Sequence, residues 1–105
     1  MNTETLKNLI VETIEELQGD EVAVLDVRPF ALADYFVIAS IRSNRQAAAM
    51  QERLRERLKE KNLPFFGIEG EKTDWTLIDA GDVVVHLMSA ETRRLYDLES
   101  LWGLE

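Results

Sequence analysis

The chain has no cysteine, two prolines, five glycines and a single histidine in 105 residues. Without cysteine there is neither a disulfide framework nor a thiolate metal site, and the composition suits a reducing compartment, so cytoplasm is the expectation. One histidine excludes a site built on two imidazoles and leaves any Ser-His-Asp relay no base other than His86. The apolar runs are too short to cross a bilayer. The opening Met1-Asn2-Thr3-Glu4 has neither the basic start and apolar block of a secretory signal nor the arginine-rich character of a transit peptide, so no membrane association is expected. Repeats, low-complexity segments and linkers are absent, and residues 1–105 are expected to form one domain. Positive charge is scarce as well: 12 bases stand against 20 acids, a net charge of −8. That balance disfavours non-specific attraction to nucleic-acid phosphate and favours basic partners.

What is present is enough for a core, with 46% apolar and 30% charged residues. The charge is uneven along the chain. Residues 64–105 hold nine acids and three bases, whereas residues 43–63 hold six bases and three acids.

Leu6, Leu9, Ile10, Ile14 and Leu17 recur at the helical period and predict an amphipathic helix over residues 5–18, with Gly19 as its left-handed cap. Residues 22–26 and 35–41 are rich in β-branched and aromatic residues and predict two strands, separated by a break at Arg28-Pro29. Ser43 followed by Gln46 makes a capping box, and Ala47, Met50, Leu54 and Leu58 form one helical stripe that ends before Asn62 and Pro64. Residues 65–69, 75–79 and 82–88 predict three more strands, and Ser89 caps a last helix reaching about Trp102. The strand at 35–41, the helix at 44–61 and the strand at 65–69 form a βαβ unit, for which a right-handed crossover is the rule. The expected fold is α/β, a mixed five-stranded sheet with about three helices.

The turn after Asp79 has two readings. A two-residue loop at Ala80-Gly81 puts Trp75 opposite His86, on a face shared with Leu77, Val84, Asp79 and Asp82. A three-residue turn at Asp79-Ala80-Gly81 pairs Trp75 with Val85 and turns it to the core. The second spares Ala80 a positive φ and is preferred.

The acids Glu69, Glu71, Asp74, Asp79 and Asp82 raise a metal-dependent phosphoryl or nucleotidyl transferase, which needs carboxylates converging on a divalent ion. Asp79 and Asp82 flank a turn, where aspartate serves local hydrogen bonding, and no glycine-rich phosphate loop accompanies them. No enzyme activity, metal or cofactor is therefore expected. His86 is read as a strand histidine bonded to a neighbouring carboxylate or carbonyl. On the last helix Leu95, Leu98 and Trp102 fall on one stripe, assigned to the core, and Arg93, Tyr96 and Glu99 on another. Tyr96, with Asp97 and Glu99 beside it, has the chemistry of an interface anchor. Arg45, Arg53, Arg55 and Arg57 are read as a solvated helix face, and with no aromatic platform among them direct RNA contact is expected to be peripheral at most.

Glu69-Gly70, Asp74-Trp75, Asp79-x-Gly-Asp82, Val83-Val84-Val85-His86, Arg93-Arg94-x-Tyr96-Asp97-Leu98-Glu99 and Leu101-Trp102, in this order and spacing, resemble the ribosomal silencing factor family, also called Iojap-like. Asp26, Ala33-Asp34, Phe36-Val37-Ile38 and Ser43-Asn44-Arg45-Gln46 extend the resemblance over essentially the whole chain. One departure is Ile41-Arg42 after Ser40, where the family usually has a small, often glycine-containing turn. The resemblance implies a nucleotidyltransferase-like α/β fold without the catalytic motif. It also implies binding to large-subunit ribosomal protein fourteen on the large ribosomal subunit, which blocks joining with the small subunit and lowers translation when nutrients are scarce. It allows a homodimer of the free protein. Carried onto this chain, the expected partner-binding residues are Trp75, Asp79, Asp82, Tyr96, Asp97, Leu98, Glu99 and Trp102.

Overall fold

A computed structural model describes residues 2–28 and 31–102, with Trp102 described by its backbone alone. The expected break at Pro29 lies outside the described residues, as does the core role expected of the Trp102 side chain.

Helix α1 spans Thr3–Glu16, and the Asn2 side chain accepts from the Thr5 N–H at 2.9 Å, meeting one of the donors a helix start leaves open. Its buried stripe of Leu6, Ile10 and Ile14 stabilises by roughly 1.5–3 kcal/mol for each side chain removed from water. The left-handed residue after α1 is Gln18, at φ 68°, and not the expected Gly19. Gly19 serves a different need: a Cβ there would stand 2.5 Å from Ile14 Cγ2, so the chain passes too close to the helix for a side chain.

Strand β1 covers Asp20–Asp26 and β2 covers Tyr35–Ile41. Helix α2 follows at Asn44–Glu60, with Ser43 Oγ accepting from the Gln46 N–H at 3.1 Å. Gln46 does not close a capping box on Ser43. Its carbonyl accepts from the Arg42 N–H at 2.7 Å, and its amide donates to the Leu17 and Gln18 carbonyls, tying the start of α2 to the end of α1. Strands β3 (Gly67–Glu69), β4 (Trp75–Asp79) and β5 (Val83–Ser89) complete the sheet.

The strand order is β1-β2-β5-β4-β3, with β2 and β5 parallel and every other pair antiparallel. The β2-α2-β3 crossover therefore joins strands that run the same way but are not neighbours, because β5 and β4 lie between them. One sheet face buries Val37, Ile41, Ile78, Val85 and Leu87 beneath α1 and α2. The other buries Ile38 and Met88 with Leu98.

The last helix is two helices, α3 at Ala90–Tyr96 and α4 at Leu98–Trp102. They are separated by Asp97 in the left-handed conformation, at φ 47° and ψ 58°. No helix among the described residues is long and apolar enough to cross a membrane.

Candidate functional site

The register of β4 against β5 decides which way Trp75 faces. Trp75 stands opposite Met88, Leu77 opposite His86 and Asp79 opposite Val84, and the Ala80 N–H donates to the Val83 carbonyl. The loop is thus Gly81-Asp82, which neither sequence reading placed there. Gly81 takes φ 86° at the first loop position, the conformation a two-residue hairpin requires and glycine supplies without a Cβ penalty. Ala80 stays paired and buried, so it needs no positive φ, and the preferred three-residue turn is corrected. Trp75 consequently faces away from α1 and α2, on the sheet face that carries Leu77, His86 and Met88.

There Trp75 is the centre of a run of rings. Its indole N–H donates to His86 Nδ1 at 3.1 Å. Its ring lies 5.0 Å from that of Tyr96, tilted by 50°, and Phe36 packs on the far side of His86 at 4.6 Å. His86 is only 5% exposed, and burial pushes its pKa down to about 4, so the imidazole is neutral at pH 7. The expected carboxylate or carbonyl partner of His86 is replaced by the indole. Its Nε2 is buried without a hydrogen-bond partner among the described residues.

The α3–α4 corner sits beside this run. Ser89 caps α3 by accepting from the Thr92 N–H at 3.2 Å. The Asp97 N–H closes α3 on the Arg93 carbonyl, while the Asp97 carbonyl accepts from the Ser100 and Leu101 N–H groups of α4 and its side chain from that of Ser100. Arg93 is buried. It donates from Nε and Nη2 to Glu99 Oε2, at 3.0 and 2.6 Å, and from Nη1 to Ser40 Oγ at 3.0 Å. Leu98 packs down on Ile38 and Met88. The stripe expected to be core therefore splits: Leu98 is buried, but Leu95 is 75% exposed, because the break at Asp97 resets the helical phase. Leu95, Tyr96 and Leu101 all project into solvent. Leu95 and Leu101 were not legible as surface residues without knowledge of that break.

Asp79 and Asp82 are not part of this cluster. They lie at the opposite end of β4, roughly 13 Å along the strand from Trp75. Asp79 Oδ1 accepts from the Gly81 N–H at 2.9 Å, an Asx turn that shapes the loop. Asp82 accepts through its carbonyl from the Asp34 and Tyr35 N–H groups, and through its carboxylate from Thr3 Oγ1 at 3.4 Å. Glu69 stands opposite Leu77, so Glu69, Asp79 and Asp82 do not surround one point. No group of three or more His, Asp or Glu side chains placed to hold a metal occurs among the described residues.

The basic face of α2 is partly committed: Arg57 pairs with Glu16 at 2.6 Å and Arg53 with Glu56 at 3.2 Å. Arg55 lies over the Phe65 ring at 4.9 Å, which supplies an aromatic neighbour that the sequence reading did not place among these arginines.

The whole chain, residues 1–105, matches the model of the family described as ribosomal silencing factor during starvation. Ribosomal silencing factor RsfS of Zymomonas mobilis is 40% identical over 102 residues, covering 95% of this chain and 77% of that protein. A mouse protein named mitochondrial assembly of ribosomal large subunit protein 1 is 36% identical over 102 residues, covering 92% of this chain and 45% of its own length. A crystal structure of a Chromobacterium violaceum protein superposes with a TM-score of 0.91 at 36% identity, covering 98% of this chain and 88% of that one. A second, from Bacillus halodurans, gives 0.83 at 33% identity and covers 95% of each chain. Matched over its whole length and 40% identical to a relative across nearly all of its residues, the chain belongs to the ribosomal silencing factor family.

Proposed function

We propose that this protein docks on large-subunit ribosomal protein fourteen and, by occupying that surface of the large subunit, keeps the small subunit from joining, so that translation falls when nutrients are scarce. The mechanism is steric occlusion, carried out in the cytoplasm, and it asks for no cofactor. The observation that carries the reading is the exposure of Leu95, Tyr96 and Leu101 on the two helices of the corner, with the Tyr96 ring against Trp75. Aromatic and aliphatic anchors standing out of an acidic surface have the composition of an interface core with a rim complementary to a basic protein.

Within the patch Tyr96 is the anchor, Trp75 supports it from below, and Leu98 fixes the corner to the sheet. Asp97 contributes exposed negative charge, and Glu99 acts first through Arg93. Asp79 and Asp82 add to the overall negative field from the far end of the sheet. The metal-dependent transferase reading finds no converging donor set among the described residues.

Tyr96 is 55% exposed, so Tyr96→Ala should leave the fold intact. Truncating an anchor of this type costs about 2 kcal/mol, roughly a 30-fold loss of affinity for purified large subunits in co-sedimentation. In the same preparation, excess wild-type protein should slow joining of large and small subunits and the variant should not. Subunits that join at their normal rate with saturating wild-type protein present would overturn the reading.

A further inference from the structure

We infer that His86 is a positioning residue for this surface: its Nδ1 holds the Trp75 indole N–H, so that the ring stays tilted against Tyr96 and meets a partner as a flat apolar face with no hydrogen-bond donor to offer. The consequence for docking rests on the function proposed above; the His86–Trp75 lock itself does not.

The geometry sets the imidazole's state. A ring nitrogen that accepts from an indole N–H at 3.1 Å carries no proton, so the neutral imidazole carries its proton on Nε2. That Nε2–H is buried without an acceptor among the described residues, and a buried donor left unmet is destabilising. An aliphatic side chain of similar size would avoid this cost and pack equally well beside Phe36 and Met88. What the imidazole supplies and an aliphatic side chain would not is the acceptor at Nδ1, to which the Trp75 indole N–H donates.

The surroundings keep that acceptor available. Phe36 on β2 and Trp75 on β4 pack against the ring, and Val84 and Met88 share its face on β5. None of these carries a charge. From α3 the phenol of Tyr96 lies beyond Trp75, and Arg93 is occupied by Glu99 and Ser40. From α4 comes Leu98, and from β1 Leu25. Burial in this setting keeps the imidazole neutral, and a neutral imidazole can accept.

The lock defines the kind of group the surface takes. An indole with its N–H satisfied, tilted at 50° against a tyrosine ring that is followed by the exposed Asp97, favours an aliphatic chain or the cationic head of a lysine or arginine over its π-face. A carbonyl or carboxylate seeking a donor finds none at Trp75. This is the selectivity expected of a surface that grips a basic protein.

The test uses two full-length variants. In His86→Asn the side-chain oxygen stands close to the place of Nδ1 and keeps an acceptor, whereas His86→Leu keeps the bulk and removes it. Hydrogen exchange of the Trp75 indole N–H, assigned by its loss in Trp75→Phe, should be slow in the wild type and in His86→Asn and at least about tenfold faster in His86→Leu. The melting temperature of His86→Leu should stay close to that of the wild type, since the unmet Nε2–H is exchanged for an unmet indole N–H. Its affinity for large subunits should nevertheless fall roughly tenfold while that of His86→Asn stays close to wild type. A His86→Leu protein that docks normally with a protected indole would overturn the inference. So would docking that simply follows stability in both variants. If wild-type protein fails to bind large subunits, the docking reading is lost, and indole exchange alone decides whether His86 positions Trp75.

Discussion

Glu99 joins the two questions of stability and docking, and replacing it separates them. Arg93 has only 9% of its side chain exposed, and Glu99 has 35%. Removing one partner of a buried ion pair costs about 3–5 kcal/mol, because the charge left behind is neither paired nor hydrated. Two features here reduce that figure. Glu99 is already partly in water, and Arg93 keeps its bonds to Ser40 Oγ and, at 3.4 Å, to the Asp20 carbonyl. Glu99→Leu should therefore destabilise by about 2–3 kcal/mol, a large share of the 5–15 kcal/mol typical of a domain. Glu99→Gln keeps an acceptor oxygen and should lose roughly half as much. In urea, with a slope near 1.5 kcal/mol/M for a chain of this size, the midpoint for Glu99→Leu should fall by about 1.3–2 M. The double variant Arg93→Met/Glu99→Leu should recover much of the loss, since a packed apolar pair replaces the ion pair at little net cost. A Glu99→Leu protein within about 0.5 kcal/mol of wild type would refute the claim that this pair holds the corner. Docking then becomes interpretable: recovery in the double variant assigns Glu99 to the scaffold, and continued loss assigns its charge to the contact.

Two further outcomes follow from particular groups. His86 has a folded pKa of about 4 against 6.5 unfolded, so the unfolded chain binds more protons between these values and stability rises with pH across that window. Its contribution is fully present above pH 6.5 and is lost as pH falls toward 4. The difference amounts to a few kcal/mol, which urea titrations at stepped pH should show in the wild type and not in His86→Asn. Glu4, Asp20 and Asp26, whose pKa values are lowered by Lys7, Arg42 and Arg28 respectively, lose stability in both proteins at lower pH and cancel in the comparison; parallel pH profiles would refute the assignment. Gly70 has φ 77°, and a Cβ there would stand 2.2 Å from the Trp75 carbonyl oxygen, whereas a Cβ at Gly67 meets nothing within 4 Å. Gly70→Ala should therefore cost about 2 kcal/mol or more and disturb the start of β4, while Gly67→Ala stays within about 0.5 kcal/mol; equal melting temperatures for the two would contradict the geometry.

The parts of this structure legible in the sequence are those decided locally. Ser43 caps α2 from its own side chain, the stripe Ala47, Met50, Leu54 and Leu58 faces the sheet, and β2 and β4 begin and end where their β-rich runs do. The misreadings fall where a distant contact overrides local preference. Arg93 and Glu99 are six residues apart, about 120° around a straight helix and roughly 9 Å along it, so they cannot meet unless the helix breaks between them. The pair exists because Asp97 turns left-handed, and nothing local in Leu95-Tyr96-Asp97-Leu98 announces that turn. The hairpin misled for a related reason. A longer loop is one way to spare Ala80 a positive φ, but moving the loop one residue on spares it as well and places Gly81 where the turn needs it. Of the expected site, Trp75, Tyr96, Asp97, Leu98 and Glu99 gather on one end of the sheet, whereas Asp79 and Asp82, close to them in the motif, are carried to the other end by the strand.

That separation bears on how acidity serves docking. Charges roughly 13 Å from Trp75 lie beyond the Debye length of about 8 Å at physiological ionic strength, so Asp79 and Asp82 cannot hold a lysine seated on the aromatic ridge. They can still steer a basic partner before contact, when the whole negative field acts over the approach path. In the docking proposed above, holding would fall instead to the α3–α4 corner, which carries the Tyr96 ring, the exposed Leu95 and Leu101 and the Asp97 carboxylate on backbone fixed by the Arg93–Glu99 pair and by Leu98. Association rate should thus respond to salt through the entire chain, while residence time depends on a few side chains around Tyr96. On the proposed function, a surface divided in this way would find the large subunit quickly and leave it when a small change loosens one anchor.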